Sequence, residues 1–127
     1  MTDDGLKELA ALKNLTYLTL NATQVTDDGL KHLAALENLK RLQLSSTKVT
    51  GSGLKDLAPL KDLTALQLGA QTTDEGLKEL AALKSLSTFS LAGNRVSDAG
   101  MKELARLQNL TELHLMTGQV TDAGIKE

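Results

Sequence analysis

At 127 residues, with a net charge of −2 and a pI near 5.7, the chain is sized for one domain and lacks the basic footprint that nucleic acid or a polybasic membrane anchor needs. It has no cysteine, which excludes disulfides, thiol nucleophiles and thiolate metal sites and leans the chain towards the cytosol. Its acidic opening, MTDDGLKELA, does not read as a signal peptide, and no run nears the ~20 apolar residues of a membrane span.

The first 24 residues, MTDDGLKELAALKNLTYLTLNATQ, return with small edits along the whole chain. Copies begin at Val25, Val49, Thr72 and Val96, with an incomplete one at Val120, so the repeat starts are 1, 25, 49, 72, 96 and 120. The period is 24 with one step of 23. A fixed period in this range marks a solenoid, a single stack over 1–127 rather than several cores. Leucine alone supplies 28 residues, and Tyr17 and Phe89 are the only aromatics, so one side-chain type in register builds the core.

Each copy opens with a hydroxyl and an acid: Thr2-Asp3, Thr26-Asp27, Thr73-Asp74, Ser97-Asp98 and Thr121-Asp122. Thr or Ser is a good helix N-cap, and the carboxylates after it suit the positive end of the helix dipole. The copy at Val49 departs from this, with Thr50 followed by Gly51 and Ser52, so its helix start is expected to be the weakest. Next comes G-L-K-x-L-A-x-L, whose apolar residues at i, i+3, i+4 and i+6 form one helical stripe. The alanines of that stripe (Ala10, Ala34, Ala58, Ala81, Ala105) are expected to let the helix approach the layer beneath, and the lysines (Lys7, Lys31, Lys55, Lys78, Lys102) to face water. Pro59 disfavours a helical Ala58, which ends that helix near Leu57.

After a short turn the period changes to two. Leu15, Leu18 and Leu20 begin a pattern that returns as Leu39-Leu42-Leu44, Leu63-Leu66-Leu68, Leu86-Phe89-Leu91 and Leu110-Leu113-Leu115. Leu18 and Leu20 point one way while Tyr17, Thr19 and Asn21 point the other, as in a half-buried strand. Strand and helix alternating through short loops give an α/β chain with a parallel sheet on one face and short helices on the other.

The motif L-x-x-L-x-L-x-x-(T/N)-x-V followed by T-D-x-G-L-K-x-L-A-x-L resembles the leucine-rich repeat family over essentially the whole chain. Leu15, Leu18, Leu20, Thr23 and Val25 match its strand motif, as do Leu39, Leu42, Leu44, Thr47 and Val49. The 24-residue VTDxGLKxLAxL form is similar to arrays common in bacteria, planctomycetes especially. The resemblance implies a curved, right-handed horseshoe of about five repeats, with the sheet concave, the helices convex, and a role in protein–protein recognition. Two features depart from the family's pattern. Thr23, Thr47 and Gly118 stand where many members carry asparagine, which only Asn94 keeps. The third copy is also one residue short around Gly69-Ala70-Gln71-Thr72, where an irregularity and a polar residue at a normally buried valine position are expected.

Chemistry-bearing residues find no catalytic grouping. The acidic pairs Asp3-Asp4, Asp27-Asp28 and Asp74-Glu75 recur at helix starts, which favours capping over acid–base work or a calcium ladder. The recurring glycines follow neither G-x-G-x-x-G nor a P-loop, and acids interrupt the lysine column. His32 lies on a helix and His114 on a strand, on opposite faces, so they share no metal. Glu112 and His114 make at most half a metal site. No cofactor is implied.

What remains is the outward row of the strands. Its first column is Tyr17, Arg41, Ala65, Thr88 and Glu112. The second is Thr19, Gln43, Gln67, Ser90 and His114, and the third is Asn21, Ser45, Gly69, Ala92 and Met116. The framework leaves these positions free to vary, and they do. The chain is therefore expected to be a non-catalytic module binding a protein partner of unknown identity through this face, within a longer repeat protein. The alternative is a structural unit, a natural fragment or an engineered scaffold, that self-associates through uncapped ends exposing Leu6, Leu9 and Leu12 at one end and Leu113 and Leu115 at the other.

Overall fold

The computed structural model describes residues 2–92 and 96–115. Helical segments and strands alternate throughout. They are α1 (Asp3–Leu9), β1 (Tyr17–Thr19), the 3₁₀ segment η1 (Asp27–Ala35), β2 (Arg41–Leu44), η2 (Leu54–Leu57) and β3 (Ala65–Leu68). Then come α2 (Asp74–Lys78) continuing as η3 (Glu79–Ala82), β4 (Thr88–Leu91), α3 (Asp98–Leu104) and β5 (Glu112–Leu115). The five strands form one parallel sheet in sequence order. This is a leucine-rich-repeat solenoid, with the sheet as one layer and the helical segments as the other.

Between the layers lies a continuous leucine core. Leu42, Leu66 and Phe89 align along the sheet and are all buried, as are Leu20, Leu44, Leu68 and Leu91 in the next row. Each such side chain is worth ~1.5–3 kcal/mol only when a neighbouring repeat covers it. At the ends of the described sheet that cover thins, so Leu18 is half-buried and Leu113 is 40% exposed.

Not every helical segment is an α-helix. The second, third and half of the fourth are 3₁₀. A segment of one to three turns makes so few i→i+4 bonds that the tighter winding costs little. The segment after Thr50 is the shortest start, with Gly53 as an N-cap that has no side-chain bond. It ends at Leu57, although Ala58 itself keeps a right-handed helical conformation ahead of Pro59.

The expected role of the alanine column is corrected. Ala10 and Ala34 are half-buried and Ala58, Ala81 and Ala105 are exposed, whereas the glycine column provides the close approach. A Cβ on Gly29 or Gly100 would collide with Asp3 Oδ1 or Asp74 Oδ1 of the preceding repeat. A Cβ on Gly53 would sit 2.6 Å from the Asp27 carbonyl oxygen. Leu6 is also corrected: it is fully buried, because the second repeat closes over it at Gly29. Leu9 and Leu115 are half-buried, and only Leu12, at 50%, is well exposed at the first turn.

The acids do more than cap. Asp3 accepts from the Thr26 amide at 2.8 Å and from the Thr26 hydroxyl. Asp27 accepts from the amide and hydroxyl of Thr50 and from the amides of Gly51 and Gly53, at 2.7–3.1 Å. Asp74 accepts from the amide and hydroxyl of Ser97 at 2.8 and 2.6 Å. Each carboxylate thus ties its repeat to the next, because the repeat spacing puts two donors within direct bonding range, and a direct bond outweighs a diffuse dipole. Thr26, Thr73 and Ser97 cap their own helices as expected. Asp4 and Glu75 stay on the surface beside Lys7 and Lys78, in exposed pairs worth little.

Where the third copy lacks its aspartate, Gly51 adopts φ +107° and the Thr73 amide donates to the Thr50 carbonyl instead, at 3.1 Å. The missing residue nearby leaves Thr72 fully buried at the valine position, its hydroxyl without a partner. Thr72→Val keeps the shape and removes an unsatisfied buried group, whose cost is typically ~1–3 kcal/mol. The substitution is expected to stabilise the protein by about 1 kcal/mol or more, read as a higher urea midpoint with unchanged slope; a lower midpoint would mean that the hydroxyl is satisfied.

Candidate functional site

Strand pairing puts the outward residues into register. Tyr17, Arg41, Ala65, Thr88 and Glu112 form one row across the sheet, and Thr19, Gln43, Gln67, Ser90 and His114 the next. Every neighbour in these rows is one strand away, ~4.8 Å, and the parallel ladder fixes that order. Turns set the ends of the strands: Ala22 and Ser46 take positive φ, and Thr23 and Thr47 donate their hydroxyls to the carbonyls of Leu20 and Leu44, each at 2.7 Å. The threonines therefore brace their own turns rather than bridging repeats.

Bridging is done elsewhere, by residues that the sequence reading missed. Asn38 Nδ2 donates to the Lys13 carbonyl at 3.0 Å, Asn109 Nδ2 to the Lys84 carbonyl at 2.7 Å, and Ser85 Oγ to the Leu63 carbonyl at 2.5 Å. The signal was available, since Asn14, Asn38 and Asn109 recur in phase just before the strands.

Within the sheet face the chemistry changes from strand to strand. The Arg41 guanidinium lies 5.5 Å from the centre of the Tyr17 ring, a cation–π contact. Gln43 Oε1 accepts from Thr19 Oγ1 at 3.3 Å and Asn21 Nδ2 at 3.0 Å, while Asn21 Oδ1 accepts from the Ser45 amide at 2.7 Å. Asn21 is thus partly committed to holding β2. Ser45 turns inward, with its hydroxyl buried and without a partner, Gly69 is buried, and Ala92 is half-buried. Met116 lies outside the described residues, as do Asn94 and Gly118.

At the far side, His114 Nε2 is 3.4 Å from Glu112 Oε2, on an exposed surface. His32 is half-buried on η1, in the other layer. Among the described residues no three His, Asp, Glu or Cys side chains converge as metal ligands. Between β2, β3 and β4 the small Ala65 leaves a depression of ≈80 Å³, lined by Arg41, Gln43, Gln67, Thr88 and Ser90. Larger hollows of ≈270 and ≈350 Å³ flank the turns before β4 and β5, among leucines with Lys61, Lys84 and Arg106.

The profile of the leucine-rich repeat family matches residues 11–34, 35–58, 82–105 and 106–127, well over half of the chain. The chain belongs to the leucine-rich repeat family. The matches skip the leucine-rich repeat that spans 59–81, which contains the shortened turn and buried Thr72. No curated protein gives a significant match along the sequence.

Among solved structures, the chain is similar to an internalin C2 from Listeria monocytogenes, at 26% identity with a TM-score of 0.49, covering 96% of this chain and 69% of that one. An internalin, inlF, from the same organism is 21% identical with a TM-score of 0.47, covering 92% of this chain and 46% of that one. Both overlays are loose, so membership of the leucine-rich repeat family rests on the repeat matches. No helix among the described residues is long and apolar enough to cross a membrane.

Proposed function

We propose that this leucine-rich repeat domain, one unit over residues 1–127, is a non-catalytic module that binds a protein partner through the outward face of its sheet. The observation that carries the reading is the contrast between the two sides of the same strands. Inward positions repeat as leucine, with Phe89 the exception, buried except at the ends of the sheet, whereas the first outward row runs from Tyr17 and Arg41 through Ala65 and Thr88 to Glu112, changing size, charge or polarity at each step. Packing explains the first set and leaves the second free for recognition. Five strands span ~20 Å, part of the ~800 Å² that a standard interface takes from each partner. That size fits a segment of a longer array, of the 24-residue VTDxGLKxLAxL form. For association through the ends, the first turn offers chiefly Leu12, since Leu6 is buried and Leu9 half-buried.

The reading is tested by Arg41→Glu and Tyr17→Ala. Both side chains are exposed, so the melting temperature is expected to stay within a few degrees while a partner captured by the wild type and identified by mass spectrometry is lost. Capture unchanged in both variants would overturn the proposal.

A further inference from the structure

We propose that the depression over Ala65 receives the side-chain carboxylate of an aspartate or glutamate from an extended segment of the partner. This rests on the reading of the sheet face as a binding surface and adds what that surface recognises.

Every lining polar group can donate, and none is an acid. Among the described residues Arg41 has no carboxylate partner; it lies against the Tyr17 ring. No side-chain hydrogen bond among the described residues engages the Arg41 N–H groups, the fork that fits a carboxylate. Gln43 has its oxygen engaged by Thr19 and Asn21, so the free end of that amide is its NH₂ donor. Gln67, Thr88 and Ser90 line the same hollow, with an amide and two hydroxyls that no side-chain bond engages among the described residues.

The ≈80 Å³ hollow is shallow and open, so it takes the tip of a side chain while the rest of the partner lies across the sheet. Charge fixes the position along the row. Glu112 lies two strands beyond Ala65, ~10 Å away, and already has His114 beside it. An acid is therefore favoured over β2 and β3 and disfavoured over β5.

The test uses the full chain and a randomised peptide library anchored at both ends, so that no free terminus contributes a carboxylate. Enriched peptides are expected to share one Asp or Glu. Changing that residue to its amide is expected to weaken binding about tenfold or more to the wild type and hardly at all to Arg41→Gln. Binding should also weaken with salt. Ala65→Leu, which fills the hollow, is expected to abolish it. Peptides that need Ala65 but carry no shared acid and ignore Arg41→Gln would overturn this inference while leaving the sheet face as the binding surface. No enrichment, or binders indifferent to both Ala65→Leu and Arg41→Glu, would overturn the binding face and this inference together.

Discussion

Gly76→Ala is expected to be among the most damaging small substitutions in the chain. In an ordinary helix the change gains up to about 1 kcal/mol from propensity. Here the added Cβ would run into the Thr50 carbonyl oxygen, with Gly51 Cα 2.8 Å away, and both obstacles are backbone. Backbone can yield only by prising the third and fourth repeats apart, which disturbs the leucines packed between them. Overpacking of this kind typically costs ~1–3 kcal/mol, so after the propensity gain a net loss of about 2 kcal/mol is expected, a large share of a typical 5–15 kcal/mol stability. Gly29→Ala is the control. Its Cβ meets the ends of the Asp3 and Leu6 side chains rather than backbone; shifting Asp3 weakens its bonds to Thr26, and about 1 kcal/mol should be lost. Urea unfolding gives both numbers; equal midpoints for Gly76→Ala and the wild type would show that the two backbones are not in contact.

The second large effect belongs to Asp27. Burial raises its pKa, but bonds from the Thr50 hydroxyl and from the amides of Thr50, Gly53 and Gly51 outweigh that and hold it below the ordinary aspartate value. Asp27→Ala leaves those donors at a closely packed repeat junction without their acceptor. Bonds to a charged group are worth ~1.5–3 kcal/mol each and do not add when they share an acceptor, so a loss of about 3 kcal/mol at pH 7 is expected.

The sign of the pH dependence follows from the depressed pKa. The contribution of Asp27 is complete above the ordinary value of ~3.9 and is lost as pH falls through the lower folded value. The stability difference between the wild type and Asp27→Asn should therefore be flat from pH 7 to about 5 and shrink below pH ~4. A difference that stays constant down to pH 3 would mean that the carboxylate charge contributes nothing to the junction.

Much of this architecture is legible in residue order because a repeat must solve one packing problem many times. Leu42, Leu44, Leu66 and Leu68 lie in the core and Arg41, Gln43, Ala65 and Gln67 face outward because a strand has a strict period of two. The missing residue before Thr72 pointed to an irregular turn, and that turn contains a buried hydroxyl without a partner. Local pattern sufficed in these cases because the constraint itself is local.

The interactions between repeats were a different matter. Nothing within one copy reveals that Asp27 faces Thr50 rather than its own helix, that Asn38 reaches the Lys13 carbonyl, or that glycine rather than alanine sets the spacing. Those facts depend on how far one turn of the solenoid lies from the next, a distance set by backbone pairing across the sheet and not by any single segment. The same holds for the binding face. The sequence named its residues, but only the assembled sheet seats Arg41 against Tyr17 and opens a donor-lined hollow over Ala65. The period determined which side each residue takes; the stacking of one repeat on the next decided which side chains meet.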